Sequence, residues 1–228
     1  MMQVVLFDLD DTLISEYEYI QSGFTHIAAL LEERLQDQKE AIYEKMLELF
    51  QADSSNLFNR IFEAYDATYE MSDIHYLVEE YRGHKPSIHF YEDVMPTIHQ
   101  LQERGMQLGI ITDGYAIAQR LKLKAVGAED FFEHIIVTDE LGREFWKPHG
   151  KSFELMQEYF GVDWNEMVYV GDNPKKDFHI SSVYPIQTVR IIRDKSVYAQ
   201  DAYLDGIEPT KIIEDLRELV EMNYFCRR

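Results

Sequence analysis

Residues 4–12 read Val-Val-Leu-Phe-Asp-Leu-Asp-Asp-Thr, an apolar β-type run that stops in three carboxylates, Asp8, Asp10 and Asp11. A short continuous apolar run of this kind fits a strand buried inside a sheet. The end of such a strand is a costly place for acids unless positive charge sits between them. A hard cation such as Mg²⁺ matches the requirement, because it takes oxygen ligands and keeps positions open for phosphate. Strand side chains alternate, so Asp8 and Asp10 lean to one face and point into one crevice at the carboxyl end of the sheet.

The segment that follows has a different period. Ile20, Phe24, Ile27, Leu31 and Leu35 recur at spacings of three and four, as do Ile42, Met46, Leu49 and Phe50. Two further groups, Leu57 to Tyr65 and Ile74 to Tyr81, repeat the pattern. This predicts about four amphipathic helices over residues 16–82 with no strand among them. Gly83-His84-Lys85-Pro86 carries turn residues and reads as a hinge, with His84 and His89 expected at the surface.

From about residue 93 strands and helices alternate. Met106–Ile111 and Met167–Val170 are predicted as buried strands, His134–Val137 as a short strand and Thr188–Ile192 as one more. Pro148 is expected to open a helix closed by Gly161, another helix to follow Pro174, and a last helix to run from Pro209 to Leu219. Alternation of this kind implies βαβ units and a parallel sheet, with ligands outside the carboxyl ends of the strands. Three predicted strands end in polar clusters there: Asp8-Leu9-Asp10, Thr112-Asp113-Gly114 and Gly171-Asp172. The predicted organisation is a catalytic core of residues 1–15 and 87–228, and a helical cap of residues 16–86 inserted after the first strand.

These residues fit phosphoryl transfer. Asp8 is the candidate nucleophile, since a carboxylate attacking phosphorus gives an aspartyl-phosphate and splits one hard displacement into two. Asp10 is placed to act as general acid and then as general base. Thr112 offers a hydroxyl to the phosphoryl group, and the N–H groups of Asp113 and Gly114, leading into a helix, offer an anion cradle. Lys147 would supply a fixed cation. Asp172 would complete the metal site, and Asp177 would orient Lys147 or a bound water.

The motifs Phe7-Asp8-Leu9-Asp10-Asp11-Thr12-Leu13, Ile111-Thr112-Asp113-Gly114, Lys147-Pro148 and Gly171-Asp172-Asn173-Pro174-Lys175-Lys176-Asp177 resemble, in order, the four motifs of the haloacid dehalogenase superfamily. The helical insert resembles that superfamily's type-one cap. The resemblance implies a Rossmann-like core with strand order 5-4-1-2-3 and Mg²⁺ dependence. It implies metal ligation by the side chains of Asp8 and Asp172 and the main-chain oxygen of Asp10. An acid two residues after the nucleophile marks the phosphatases and phosphomutases of the superfamily, because an alkoxide leaving group needs a proton.

Charge narrows the partners. With 22 Lys and Arg against 42 Asp and Glu, the formal net charge is −20. Such a field disfavours nucleic acid polymers and anionic membranes, and a phosphate site inside it must make its own positive potential. Cys226 is the only cysteine, so no disulfide framework forms within one chain. Neither a signal peptide nor a membrane span is legible, and a cytoplasmic monomer or homodimer is expected. The expected activity is Mg²⁺-dependent hydrolysis of a small phosphorylated metabolite, a sugar phosphate or nucleoside monophosphate. A phosphomutase and a non-catalytic binding module are the alternatives.

Overall fold

The computed structural model describes residues 2–194, 196, 198 and 201–222; Cys226 lies outside them. The chain divides into two compact units. One joins the residues up to Glu16 with those from Ile88 onward, and the other is Tyr17–Ser87.

The first unit is built on β1 (Val4–Phe7), whose four residues are all buried. The second unit supplies the next four elements: α1 (Glu16–Leu35), α2 (Lys39–Ala52), α3 (Leu57–Ala64) and α4 (Met71–Gly83), with α1 starting on the last residue of the first. The chain then returns through α5 (Val94–Glu103), β2 (Gln107–Thr112), α6 (Ala116–Ala125), β3 (His134–Val137), α7 (Lys151–Phe160), β4 (Met167–Gly171), β5 (Gln187–Ile191), β6 (Lys211–Ile213) and α8 (Arg217–Glu221).

The six strands of the described residues form one parallel sheet, in the order β3-β2-β1-β4-β5-β6. The expected order 5-4-1-2-3 is present, running from β5 to the β3 edge, and β6 adds one strand beyond β5. β1 lies centrally, with Phe7 opposite Ile110 of β2 on one side and Val170 of β4 on the other. Val4, Leu6 and Tyr169 pack with Phe153, Met156 and Phe160 of α7 in one buried cluster. Gly109 on β2 lacks a Cβ for a packing reason: one added there would meet Leu6 at 2.9 Å and the His134 carbonyl at 3.1 Å.

Three secondary-structure expectations need correcting. The predicted last helix over Pro209–Leu219 begins as β6, and helix is confined to α8. The spacing of Ile212, Ile213, Leu216 and Leu219 mimics a helical stripe, but pairing with β5 and burial of Ile213 override it. After Pro174 there is only a 3₁₀ turn, His179–Ser182, and α7 starts at Lys151, three residues after Pro148.

The helical unit has its own core, in which Phe24, Ile27, Leu31, Ile42, Met46, Ile61 and Phe62 are buried together. A reciprocal capping box between Glu70 and Asp73 starts α4. Arg34 grips Asp73 with two bonds, at 2.6 and 2.7 Å. Tyr19 is buried and packs its ring edge-on against Tyr81 at 5.5 Å. His84 is buried rather than at the surface: Tyr81 O lies 2.6 Å from its Nδ1, and Ser22 Oγ 3.1 Å from its Nε2. No helix among the described residues is long and apolar enough to cross a membrane.

A buried ion pair closes the first unit. Arg193 Nη1 donates to Asp93 Oδ2 at 2.6 Å, and its Nη2 to the Thr12 carbonyl at 2.7 Å. The same Asp93 oxygen accepts the Leu216 N–H at 2.7 Å. Removing one partner of such a pair strands a buried charge. Asp93→Ala is therefore expected to cost about 3–5 kcal/mol in urea denaturation. Glu92→Ala, next to it but outside the pair, should stay within about 0.5 kcal/mol of the parent.

Candidate active site

β1 delivers Asp8 to the sheet edge, where the Asp8 N–H still donates to the Val170 carbonyl at 2.8 Å. The chain then doubles back. The N–H groups of Leu13 and Ile14 both reach the Leu9 carbonyl, at 2.9 and 3.1 Å. Asp11 sits at φ 50° in this turn, and its Oδ1 accepts the Glu16 N–H at 3.0 Å, at the start of α1. Aspartate tolerates the left-handed region better than most residues, and a carboxylate at a helix start satisfies an orphan N–H.

Lys147 is the hub of the site. Its side chain is fully enclosed, and its ammonium has three oxygen neighbours, two that accept its hydrogen bonds and one ion-pair partner. These are Asp8 Oδ1 at 2.6 Å, Tyr169 Oη at 2.6 Å and Asp177 Oδ1 at 2.9 Å. Tyr169 Oη in turn donates to Asp177 Oδ1 at 3.3 Å. Asp177 is fixed from the other side by the Asn173 N–H, at 2.8 Å from its Oδ2. Gly171 makes room for this: an added Cβ would lie 2.5 Å from the Asp177 carboxylate.

Asp113 anchors the Lys147 segment. Its Oδ1 accepts the Thr138 hydroxyl at 2.7 Å and the Lys147 backbone N–H at 3.1 Å. Its Oδ2 accepts Lys176 Nζ at 3.0 Å. Burial would raise the Asp113 carboxyl, but Lys147 and Lys176 hold it below the usual range. Thr112 ends β2, Asp113 and Gly114 begin the loop to α6, and Thr112 Oγ1 accepts Gln119 Nε2 at 2.6 Å.

Asp10 is gripped from α6. Its Oδ1 accepts Lys122 Nζ at 2.8 Å and its Oδ2 accepts Gln119 Nε2 at 2.8 Å. Lys122 also donates to Glu16 Oε2 at 2.6 Å. Burial opposes ionisation of Asp10, but Lys122 and the neighbouring hydrogen bonds outweigh it and hold the carboxyl low. Glu16 moves the other way, pushed up to about 8 by burial and by Asp10 against the pull of Lys122. Asp10 and Glu16 thus shift in opposite directions, each influenced by the other and by the Lys122 between them.

Asp8, Asp172 and Asp177 each place an oxygen within 4.8 Å of the others, and all are buried. Burial pushes Asp8 up to about 7, and it drives Asp172 well above the carboxylate range with help from Asp177 and Asp8. Four buried carboxylates (Asp8, Asp113, Asp172 and Asp177) face the two ammonium groups of Lys147 and Lys176. Two negative charges are in excess, and every candidate ligand atom is oxygen. A hard divalent cation such as Mg²⁺ fits both facts. Asp177 is already committed to Lys147 and Asn173, which leaves Asp8 and Asp172 as the side chains best placed to hold it.

The structure thus brings Asp8, Asp172, Asp177 and Lys147 into one cluster and joins Asp113 to it through Lys147 and Lys176. Asp10 and Thr112 are bridged by Gln119. Sequence reasoning did not single out Glu16, Gln119, Lys122, Tyr169 or Lys176. Two signals were available: Lys176 adjoins Asp177, and Gln119 and Lys122 stand one turn apart between the apolar Ala118 and Leu123, where a solvated face was not required.

The model of the haloacid dehalogenase-like hydrolase family matches residues 5–191. A glyceraldehyde 3-phosphate phosphatase of Methanopyrus kandleri is 31% identical over 97% of this chain and 100% of its own length. The pyrophosphatase PpaX of Bacillus pumilus is 32% identical over 75% of each chain. The crystal structure of a HAD phosphatase from Thermococcus onnurineus superposes with a TM-score of 0.62 at 28% identity, covering 96% of this chain and 97% of that one. The chain belongs to the haloacid dehalogenase-like hydrolase family, with a Rossmann-like core.

Lys147→Met removes the cation that three oxygen neighbours share and leaves buried carboxylates facing each other. Hydrolytic kcat is expected to fall by about 10²–10³-fold, the scale of losing one preorganised electrostatic contact, as measured by steady-state kinetics at saturating Mg²⁺.

Proposed function

We propose that the chain is a Mg²⁺-dependent phosphatase that hydrolyses a small phosphorylated metabolite of the sugar-phosphate type through an aspartyl-phosphate on Asp8. The observation that carries this reading is the Lys147 ammonium, bonded at once to Asp8 at 2.6 Å and Asp177 at 2.9 Å, with Asp172 beside them. A cation in that position steadies a carboxylate nucleophile and attracts a phosphoryl group into a chain of net charge −20. The names of the relatives add support, since the Methanopyrus protein is called a glyceraldehyde 3-phosphate phosphatase and the Bacillus protein a pyrophosphatase.

In the first step an Asp8 oxygen bonds to phosphorus as the ester P–O bond breaks. The departing alkoxide takes a proton from Asp10, which regains it in the next step. In the second step water attacks the phosphorus of the aspartyl-phosphate, its proton passes to Asp10, and Asp8 is released with inorganic phosphate. The Thr112 hydroxyl and the N–H groups of Asp113 and Gly114 hold the phosphoryl oxygens. Asp177 keeps Lys147 in place. Asp8, Asp172 and the main-chain oxygen of Asp10 would hold Mg²⁺, which would supply neutralising charge to the phosphoryl oxygens. The helical unit Tyr17–Ser87 enters the chain directly after the Asp10 turn, and we assign it the cap role, selection of the rest of the substrate.

The test is phosphate release from glyceraldehyde 3-phosphate, inorganic pyrophosphate and a nucleoside monophosphate. Turnover of the sugar phosphate that EDTA abolishes and Mg²⁺ restores is the expected result. Preference for pyrophosphate would move the substrate class, and an isomerised sugar phosphate without free phosphate would make the enzyme a mutase. Asp8→Asn should remove turnover while leaving the melting transition in place; an active Asp8→Asn protein would overturn the nucleophile.

A further inference from the structure

We propose that Lys122 and Gln119 are positioning residues for Asp10: together they hold both oxygens of its carboxyl group and tie it to the phosphoryl-binding hydroxyl of Thr112. The proposal rests on the phosphatase reading above and adds the residues that aim its proton donor.

Asp10 lies in a turn, beyond the end of β1, so the strand ladder does not fix its side chain. A carboxyl on two rotatable bonds samples several orientations unless partners select one. Here each oxygen has its own donor from α6, Lys122 Nζ on Oδ1 and Gln119 Nε2 on Oδ2, both at 2.8 Å. The Gln119 amide carries two hydrogens, and its nitrogen is also within 2.6 Å of Thr112 Oγ1. One side chain therefore spans the proton-transferring group and the phosphoryl-binding group and sets the distance between them.

The surroundings are shaped for this span. Gln119 and Lys122 are 2% and 3% exposed, and three-residue spacing puts them on one face of α6. A buried lysine is costly unless its charge is matched, and Lys122 is matched by Asp10 and Glu16. Gly114 sits at φ 134°, and a Cβ there would come within 3.0–3.1 Å of the Gln119 side chain. The loop that offers the anion cradle thus also gives Gln119 its room.

Misaiming a proton donor by a fraction of its bond length slows only the steps that need it. Lys122→Met and Gln119→Leu are compared with the parent and with Asp10→Asn, using β-glycerophosphate and p-nitrophenyl phosphate at saturating Mg²⁺. For β-glycerophosphate, whose alkoxide needs a proton, kcat/KM is expected to fall by about 10²-fold in each variant. For p-nitrophenyl phosphate, whose phenolate leaves unaided, kcat/KM is expected to fall by less than about threefold. In the Asp10→Asn background either substitution should add almost nothing, because the group it aims is gone.

Equal losses on both substrates, or full additivity with Asp10→Asn, would overturn the clamp while leaving the phosphatase reading intact. A parent enzyme that releases phosphate from neither substrate overturns that reading and the clamp with it. Lys122→Met leaves two carboxyl groups without their cation and is checked by thermal melting. Gln119→Leu changes no charge and decides the question if Lys122→Met does not fold.

Discussion

The site depends on one ammonium group. The Lys147 ammonium donates to Asp8 and Tyr169 and pairs with Asp177, and its backbone N–H donates to Asp113. A lysine can be enclosed only when its charge is matched and its donors are filled. Here both conditions hold only because three strand ends lie side by side. β1 brings Asp8, β4 brings Tyr169 and the turn to Asp177, and β2 brings Asp113. The ammonium links all three and makes their positions mutually dependent. It also leaves the carboxylates in excess, so the cluster remains electrostatically open to a divalent cation and to the phosphoryl group that cation would help to hold.

Glycines and a tyrosine set the dimensions of this cluster. At Gly171 the missing Cβ is what lets Asp177 approach the end of β4, since any side-chain carbon would fall inside van der Waals contact. Tyr169 is fully buried on β4, where its ring packs edge-on against Phe153 at 4.9 Å while its hydroxyl joins Lys147. One residue therefore belongs to the apolar layer beneath the sheet and to the polar layer at its edge. A change in core packing under α7 would be transmitted to the nucleophile through it.

What could be read in the sequence followed physical pattern. Acids that end an apolar run are conspicuous because they contradict their surroundings, and Asp8, Asp10, Thr112-Asp113-Gly114 and Asp172 stand out for that reason. Helical period made the inserted helices legible. Residues that agree with their surroundings stayed hidden. Tyr169 in a buried strand reads as packing, and Gln119 and Lys122 on a helix read as a solvated face. Their polar ends matter only because α6 lies against the Asp10 turn, a tertiary fact without a local signature. β6 was obscured for the opposite reason: two adjacent isoleucines followed by leucines imitate a helix stripe, and only pairing with β5 decides between the periods.

The buried cations share one task. Among the described residues, Lys122, Lys147, Arg190 and Arg193 are the buried lysines and arginines. Lys122 holds the Asp10 carboxyl, Lys147 holds Asp8, Arg190 donates to the Asp172 carbonyl at 3.2 Å, and Arg193 holds the Thr12 carbonyl. Each fixes a backbone or side-chain oxygen in or beside an acidic strand end. In a chain of net charge −20 the long-range field repels a phosphorylated ligand, but exposed charges are screened within about 8–10 Å at physiological salt. Enclosed cations are screened far less. The surface can therefore stay strongly acidic while the crevice takes up phosphate, provided the cations near it are buried and held in place and a divalent cation offsets the carboxylates in excess. Burying them requires carboxylate partners, so the acids at the strand ends make the positive site possible as well as supplying its nucleophile.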